Sequence, residues 1–130
     1  MIVRALLSLI SILLIWTMLD TLFHRLILAP LYKQTPQLWR PFDQMSVTLI
    51  LIVSLGLASF FVLTFILLIR PKSLEAGMEF GALAGMALGL AAGFGTYIHS
   101  PIPLRLAWGW FIAGWLKAFA AGVILGLLIR

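Results

Sequence analysis

A chain of 130 residues that is 63% hydrophobic and only 10% charged has room for one domain and excludes a water-soluble one, whose apolar share is roughly 45–50%. The formal charge of +5 would suit a nucleic-acid binder in a soluble chain. Here, however, the nine basic residues stand singly between apolar runs and read as helix-end anchors at lipid headgroups, so no nucleic-acid partner is expected. The absence of cysteine excludes disulfides, thiolate metal sites, iron–sulfur clusters and covalently attached c-type haem.

With a mean hydropathy of +1.15, the expected fold class is all-α: a four-transmembrane-helix bundle, up-down-up-down, forming one integral membrane domain over residues 1–130 with spans at about 5–29, 46–69, 76–98 and 104–129. The opening Met1-Ile2-Val3-Arg4 and the apolar run after it look like a secretory leader. Hydrophobicity continues past Trp16 without a small-residue cleavage site, which predicts an uncleaved first helix. That segment exceeds the roughly 20 residues needed to cross a hydrocarbon core. At about 100° per residue, Thr17, Asp20 and His24 share one face near its end, while Ser8 and Ser11 fall on another. The first group is expected to face protein.

From Pro30 to Gln44, Pro30, Pro36 and Pro41 interrupt any continuous helix, and Tyr32, Trp39 and Phe42 alternate with Lys33 and Arg40. Aromatic and basic side chains suit the headgroup level, so this stretch is expected to lie along the membrane surface with Tyr32, Trp39 and Arg40 as anchors. Residues 46–69 carry no charge and end at Arg70-Pro71-Lys72. A short turn through Ser73, a candidate cap for the next helix with Glu75 and Glu79 near its positive end, makes helices two and three antiparallel neighbours.

In the third span Gly77, Gly81, Gly85, Gly89 and Gly93 recur every fourth residue. In a soluble helix each would cost about 1 kcal/mol against alanine. In a bilayer, small residues at this spacing let another backbone approach closely. The expected partner is the last span, where Gly114, Ala118, Gly122 and Gly126 form a similar ladder, making helices three and four the tightest pair. Between them Ser100-Pro101-Ile102-Pro103 forms a tight reversal, after which Trp108 and Trp110 are expected to act as further interface anchors.

Ionisable residues inside the hydrocarbon are costly enough to mark function or a partner. Asp20 and Lys117 lie at matching depth, whereas Glu79 lies about 12 Å from the level of Lys117. Asp20 and Lys117 are therefore expected to form a buried ion pair that sets how helices one and four meet, or with His24 to line a polar path. A third reading has Lys117 face a partner subunit or snorkel to water. His24, His99 and Asp20 are weak candidates for a metal site, and the two histidines for haem ligation. No cofactor is expected. Ser54, Ser59 and Ser100 lack an oriented histidine and acid, and the glycine ladder is not preceded by a strand, so no enzyme constellation is present.

Basic residues tie across the membrane. Arg4, Arg70, Lys72 and Arg130 lie on the terminal side, and Arg25, Lys33, Arg40 and Arg105 on the other. The terminal side lacks the acidic Asp43, which favours cytoplasmic termini. His24, Tyr32, Leu38-Trp39-Arg40-Pro41, Met45, Gly95-Thr96-Tyr97 and Pro101-Ile102-Pro103 together resemble a group of small bacterial four-span membrane proteins of unassigned function. That resemblance implies a bacterial inner-membrane protein. The expected role is a non-catalytic scaffold or accessory subunit of a homo-oligomer or larger membrane complex. The alternatives are a small homo-oligomeric transporter or channel using Asp20, His24 and Lys117, and a metal- or haem-binding redox helper.

Overall fold

A computed structural model describes residues 1–130. The chain forms helices and no strands: α1 (Ile2–Ile27), a short α2 (Ala29–Gln34), α3 (Val47–Leu68), α4 (Leu74–His99) and α5 (Leu104–Leu128). The four long helices, of 26, 22, 26 and 25 residues, are each long and apolar enough to cross a membrane. The shortest reaches about 33 Å against a hydrocarbon core of about 30 Å. The protein is a multi-pass integral membrane protein built as an all-α bundle.

Local chemistry sets the helix ends. Ser46 caps α3 by accepting from the Leu49 N–H at 3.2 Å, and Ser73 caps α4 by accepting from the Ala76 N–H at 3.1 Å. At the far end of α3, carbonyls left without helical partners are satisfied by side chains. Arg70 donates to the Ile66 and Ile69 carbonyls, and Lys72 to those of Phe65, Ile66 and Ile69. Pro30 does not only interrupt. It occupies the first turn of α2, where its missing N–H costs nothing, so the surface stretch begins as a helix and continues through single 3₁₀ turns at Pro36–Leu38 and Phe42–Gln44.

Two stretches depart from regular α geometry. Thr21–Ile27 of α1 and Leu90–Gly95 of α4 are π-helical. The first closes with the Leu28 N–H donating to the Phe23 carbonyl five residues back, at 2.7 Å. Nothing in the apolar pattern signals these wider turns, which occur often at functional sites.

α5 is the central helix, packed against α1, α3 and α4. Its contact with α4 is the most extensive in the bundle and runs main chain to main chain. Gly77, Gly81, Gly85, Gly89 and Gly93 are all buried. A Cβ built on Gly81 would lie 2.7 Å from the Ala118 carbonyl oxygen, one on Gly85 2.9 Å from that of Trp115, and one on Gly89 2.7 Å from that of Phe111. Gly77 faces Gly122 and Gly126, and Gly93 faces Ala107, so the two helices are antiparallel.

The small residues on α5 extend along only part of this seam. Gly122 and Gly126 meet the α4 backbone directly, whereas a Cβ on Gly114 would stand at an ordinary 3.4 Å from the Gly89 Cα. Toward the other end, α4 meets the main chain of Trp115, Phe111 and Ala107. Bare glycine on one helix suffices there, and the Trp115 and Phe111 rings fold over Gly85 and Gly89, 3.0 and 2.9 Å from where a Cβ would stand.

α1 is also antiparallel to α5: Arg4 donates to the Arg130 carbonyl at 2.8 Å, Trp16 to the Lys117 carbonyl at 2.8 Å, and Leu28 packs on Gly109. One core, at the terminal side, contains Ile12, Trp16, Phe61, Phe65, Ala118 and Leu125. A second, at the other end, contains Phe23, Leu28, Ile102, Leu106 and Ala113. α3 and α4, although joined by a short turn, meet chiefly through Phe61 and Phe65 on Phe80, at centroid distances of 5.4 and 6.2 Å. They are neighbours without a backbone seam, because α3 has no stripe of small residues.

Gly56 on α3 provides the contrast: a Cβ built there meets nothing within 4 Å. Gly56→Ala is therefore expected to leave assembly intact and raise stability by up to about 1 kcal/mol through helix propensity, as measured by reversible unfolding in mixed micelles.

Candidate functional site

Polar side chains of α1, α2 and α5 converge at the end of the bundle opposite the termini. Lys117 Nζ donates to both Asp20 carboxylate oxygens, each at 2.8 Å. Trp16 holds the lysine from one side: its indole N–H donates to the Lys117 carbonyl at 2.8 Å, and the ammonium lies 5.1 Å from the centre of its ring. The latter is a cation–π arrangement, which stabilises an ammonium removed from bulk water. The apolar stem of Lys117 is thus fixed as well as its charge.

One turn further along α1, His24 Nε2 stands 3.8 Å from Asp20 Oδ1. That is an electrostatic contact, too long for a hydrogen bond. The other ring nitrogen, Nδ1, lies 2.6 Å from the Tyr32 hydroxyl, which also accepts from the Trp110 indole N–H at 2.6 Å. Trp39 packs edge-on against both Tyr32 and Trp110, at centroid distances of 5.2 and 5.6 Å, and donates its indole N–H to Thr35 Oγ1 at 3.0 Å.

Donor counting gives this chain a direction. An indole nitrogen can only donate, so Trp110 uses one lone pair of the Tyr32 oxygen. Burial raises the Tyr32 phenol above its ordinary 10.0; the Trp110 hydrogen bond offsets part of that rise and the charge of Asp20 adds to it. Tyr32 therefore keeps its proton at physiological pH, and since His24 Nδ1 is the only acceptor hydrogen-bonded to it, that proton is assigned to the bond with His24. A neutral His24 then carries its own proton on Nε2, facing Asp20. The tautomer follows from this network.

The polar chain stops at mid-depth. Beyond Lys117 the bundle is filled by Ile12, Phe61, Phe65, Ala121 and Leu125. The buried Ser8 hydroxyl is tied to the Arg4 carbonyl of its own helix at 2.8 Å. The outer side is only partly covered: the side chains of Asp20, His24 and Lys117 are 38%, 42% and 22% exposed. Thr17 and Thr21 flank them on α1, each with its hydroxyl bonded to the carbonyl four residues back.

Asp20, His24 and Lys117 therefore come together, while other sequence candidates take different places. Tyr32, Trp39 and Trp110, expected as interface anchors, pack on one another: the Trp110 indole bonds to the Tyr32 hydroxyl, while Trp39 lies edge-on against both rings and bonds to Thr35. Trp108 stays 51% exposed and packs edge-on against Phe94, and Arg40 is exposed. His99 does not join His24 and Asp20: α1 and α4 pack on α5 rather than along each other, and no group of three potential ligands is arranged to hold a metal ion. The link from His24 through Tyr32 to Trp110 is absent from the sequence expectation, although Trp110 and Lys117, seven residues apart on one helix, share a face.

No protein-family model, curated protein or solved structure matches this chain. The reading of the site rests on its own residues.

Proposed function

We propose that the chain is a non-catalytic accessory subunit of a membrane complex, joined to a larger membrane protein or to further copies of itself through the α1 face bearing Thr17, Asp20, Thr21 and His24. The supporting observation is the incomplete cover of the ion pair. Asp20 lies seven residues inside the end of α1, about 10 Å along the helix, yet 38% of its side chain is open on the outer surface. A carboxylate facing hydrocarbon is costly, and a second protein surface removes that cost. Resemblance to small bacterial four-span proteins favours the bacterial inner membrane.

A photoreactive residue at Thr17, activated in native membranes, is expected to give an adduct of defined mass. One at Leu63, 55% exposed on α3, is expected to give none. An adduct of twice the chain mass identifies self-association, and a larger one identifies a separate subunit. Absence of any adduct at Thr17 and Thr21, together with a monomeric mass in mild detergent, would remove this reading.

The directed chain from Trp110 to His24, with Asp20 in electrostatic contact beyond it, favours a second reading, a small homo-oligomeric transporter in which neighbouring copies complete a route past the filled half of the bundle. Proton or solute flux in liposomes that Lys117→Met abolishes would place transport first.

A further inference from the structure

At the terminal side the end of α3 and the first turns of α4 line a groove of about 460 Å³. Its walls include Leu68, Phe80, Leu83 and Ala84, and its only charged residues are Arg70 and Glu79. Hydrogen-bond capacity separates these two from their neighbour Lys72. The three N–H bonds of the Lys72 ammonium match three main-chain carbonyls at the end of α3, so that cation is saturated. Arg70 donates only from Nη1, to the Ile66 and Ile69 carbonyls at 2.9 and 2.7 Å, which leaves Nε and Nη2 free. Glu79 is exposed and makes no ion pair, since the ion pairs of the protein are those of Asp20 with Lys117 and with His24.

The level of the groove is that of a lipid headgroup. α4 has 26 residues and extends about 39 Å, exceeding a hydrocarbon core of about 30 Å by a few ångströms at each end. Glu79, five residues into α4, therefore sits near the boundary between headgroup and acyl chain, where an unpaired carboxylate is stabilised by a cation. Leu83 and Ala84 continue the groove into the apolar layer.

We propose that this groove binds one phospholipid with a zwitterionic, primary-amine headgroup. The free guanidinium nitrogens of Arg70 take the phosphate, the Glu79 carboxylate accepts from the headgroup ammonium, and an acyl chain lies along Leu68, Leu83 and Ala84. Charge complementarity selects this lipid. A glycerol headgroup brings a phosphate but no cation for Glu79, and a quaternary choline has no N–H to donate. The site lies on other helices, at the other end of the bundle from the polar chain, and does not depend on the accessory-subunit reading.

Native mass spectrometry of the full chain in detergent, with equal amounts of phosphatidylethanolamine, phosphatidylglycerol and phosphatidylcholine of matched acyl chains, tests the site. The wild-type chain is expected to retain the ethanolamine lipid about tenfold over the other two, the factor one charge-assisted hydrogen bond contributes. Glu79→Gln is expected to abolish the preference for ethanolamine over choline while lipid is still retained. Arg70→Gln is expected to weaken retention of all three about equally. Because Arg70 also satisfies carbonyls of α3, Leu83→Trp, which fills the groove and leaves those bonds intact, provides a second variant and is expected to lose the bound lipid. Equal retention of the three lipids by the wild-type chain, preference for the glycerol lipid, or unchanged selectivity in Glu79→Gln would each overturn the proposal.

Discussion

Gly122→Val is expected to separate α4 from α5 and to be the most destabilising single substitution in the apolar helices. A Cβ at this position would lie 2.7 Å from the Gly81 Cα and 2.8 Å from its nitrogen, and closer still to the Gly77 carbonyl oxygen. These are main-chain atoms that no rotamer change can move. Overpacking a core typically costs about 1–3 kcal/mol, and with backbone on both sides the cost here is expected at or above the top of that range. Gly77→Val strains the same contact, so the double variant is expected to lose much less than the sum of the singles. Reversible unfolding in mixed micelles, followed by circular dichroism, measures both. A Gly122→Val protein within about 0.5 kcal/mol of wild type, the range of ordinary surface substitutions, would mean that the two backbones are not in contact.

The second large effect is expected at the ion pair. Lys117→Met keeps an apolar stem against Trp16 but removes the only group hydrogen-bonded to the Asp20 carboxylate, leaving it His24 at 3.8 Å. Breaking a fully buried pair costs about 3–5 kcal/mol. Because Asp20 is more than a third open on its outer side, local bilayer thinning and water defects reach the orphaned carboxylate, and a smaller loss of about 2 kcal/mol is expected. Adding Asp20→Asn removes the orphaned charge and is expected to restore most of the stability. If the single and double variants unfold alike, the pair is fully hydrated and contributes no cohesion between α1 and α5. Flux in liposomes bearing the double variant separates a structural role from a transport role, since a conducting pair would lose flux there even where stability returns.

Much of the architecture is readable because membrane helices leave few options. Backbone groups in hydrocarbon must bond within the segment, so apolar length alone specifies four helices, and five glycines at a four-residue interval specify a seam. The pairing of Asp20 with Lys117 follows from depth, which chain position encodes. The remainder of the site depends on features without a periodic signature. His24 sits in the π turn at Thr21–Ile27, and Tyr32 reaches Trp110 across 78 residues of sequence. Proline in the surface stretch suggests interruption, whereas Pro30 at a first turn begins a helix that carries Tyr32 beneath the bundle's edge. Aromatic residues near a membrane interface read alike whether they face lipid or each other, and only packing separates Trp108 from Trp110.

The central position of α5 has a consequence for how the protein is made. Ribosomes deliver this helix after the three spans that it holds together, so α1, α3 and α4 enter the bilayer while the surface that organises them is still untranslated. Until then α4 presents a bare glycine stripe to lipid, and Asp20 has no ammonium partner. The nascent chain is therefore most exposed to proteolytic quality control just before α5 leaves the translocon, and a pause at that point would lower yield without altering the finished fold.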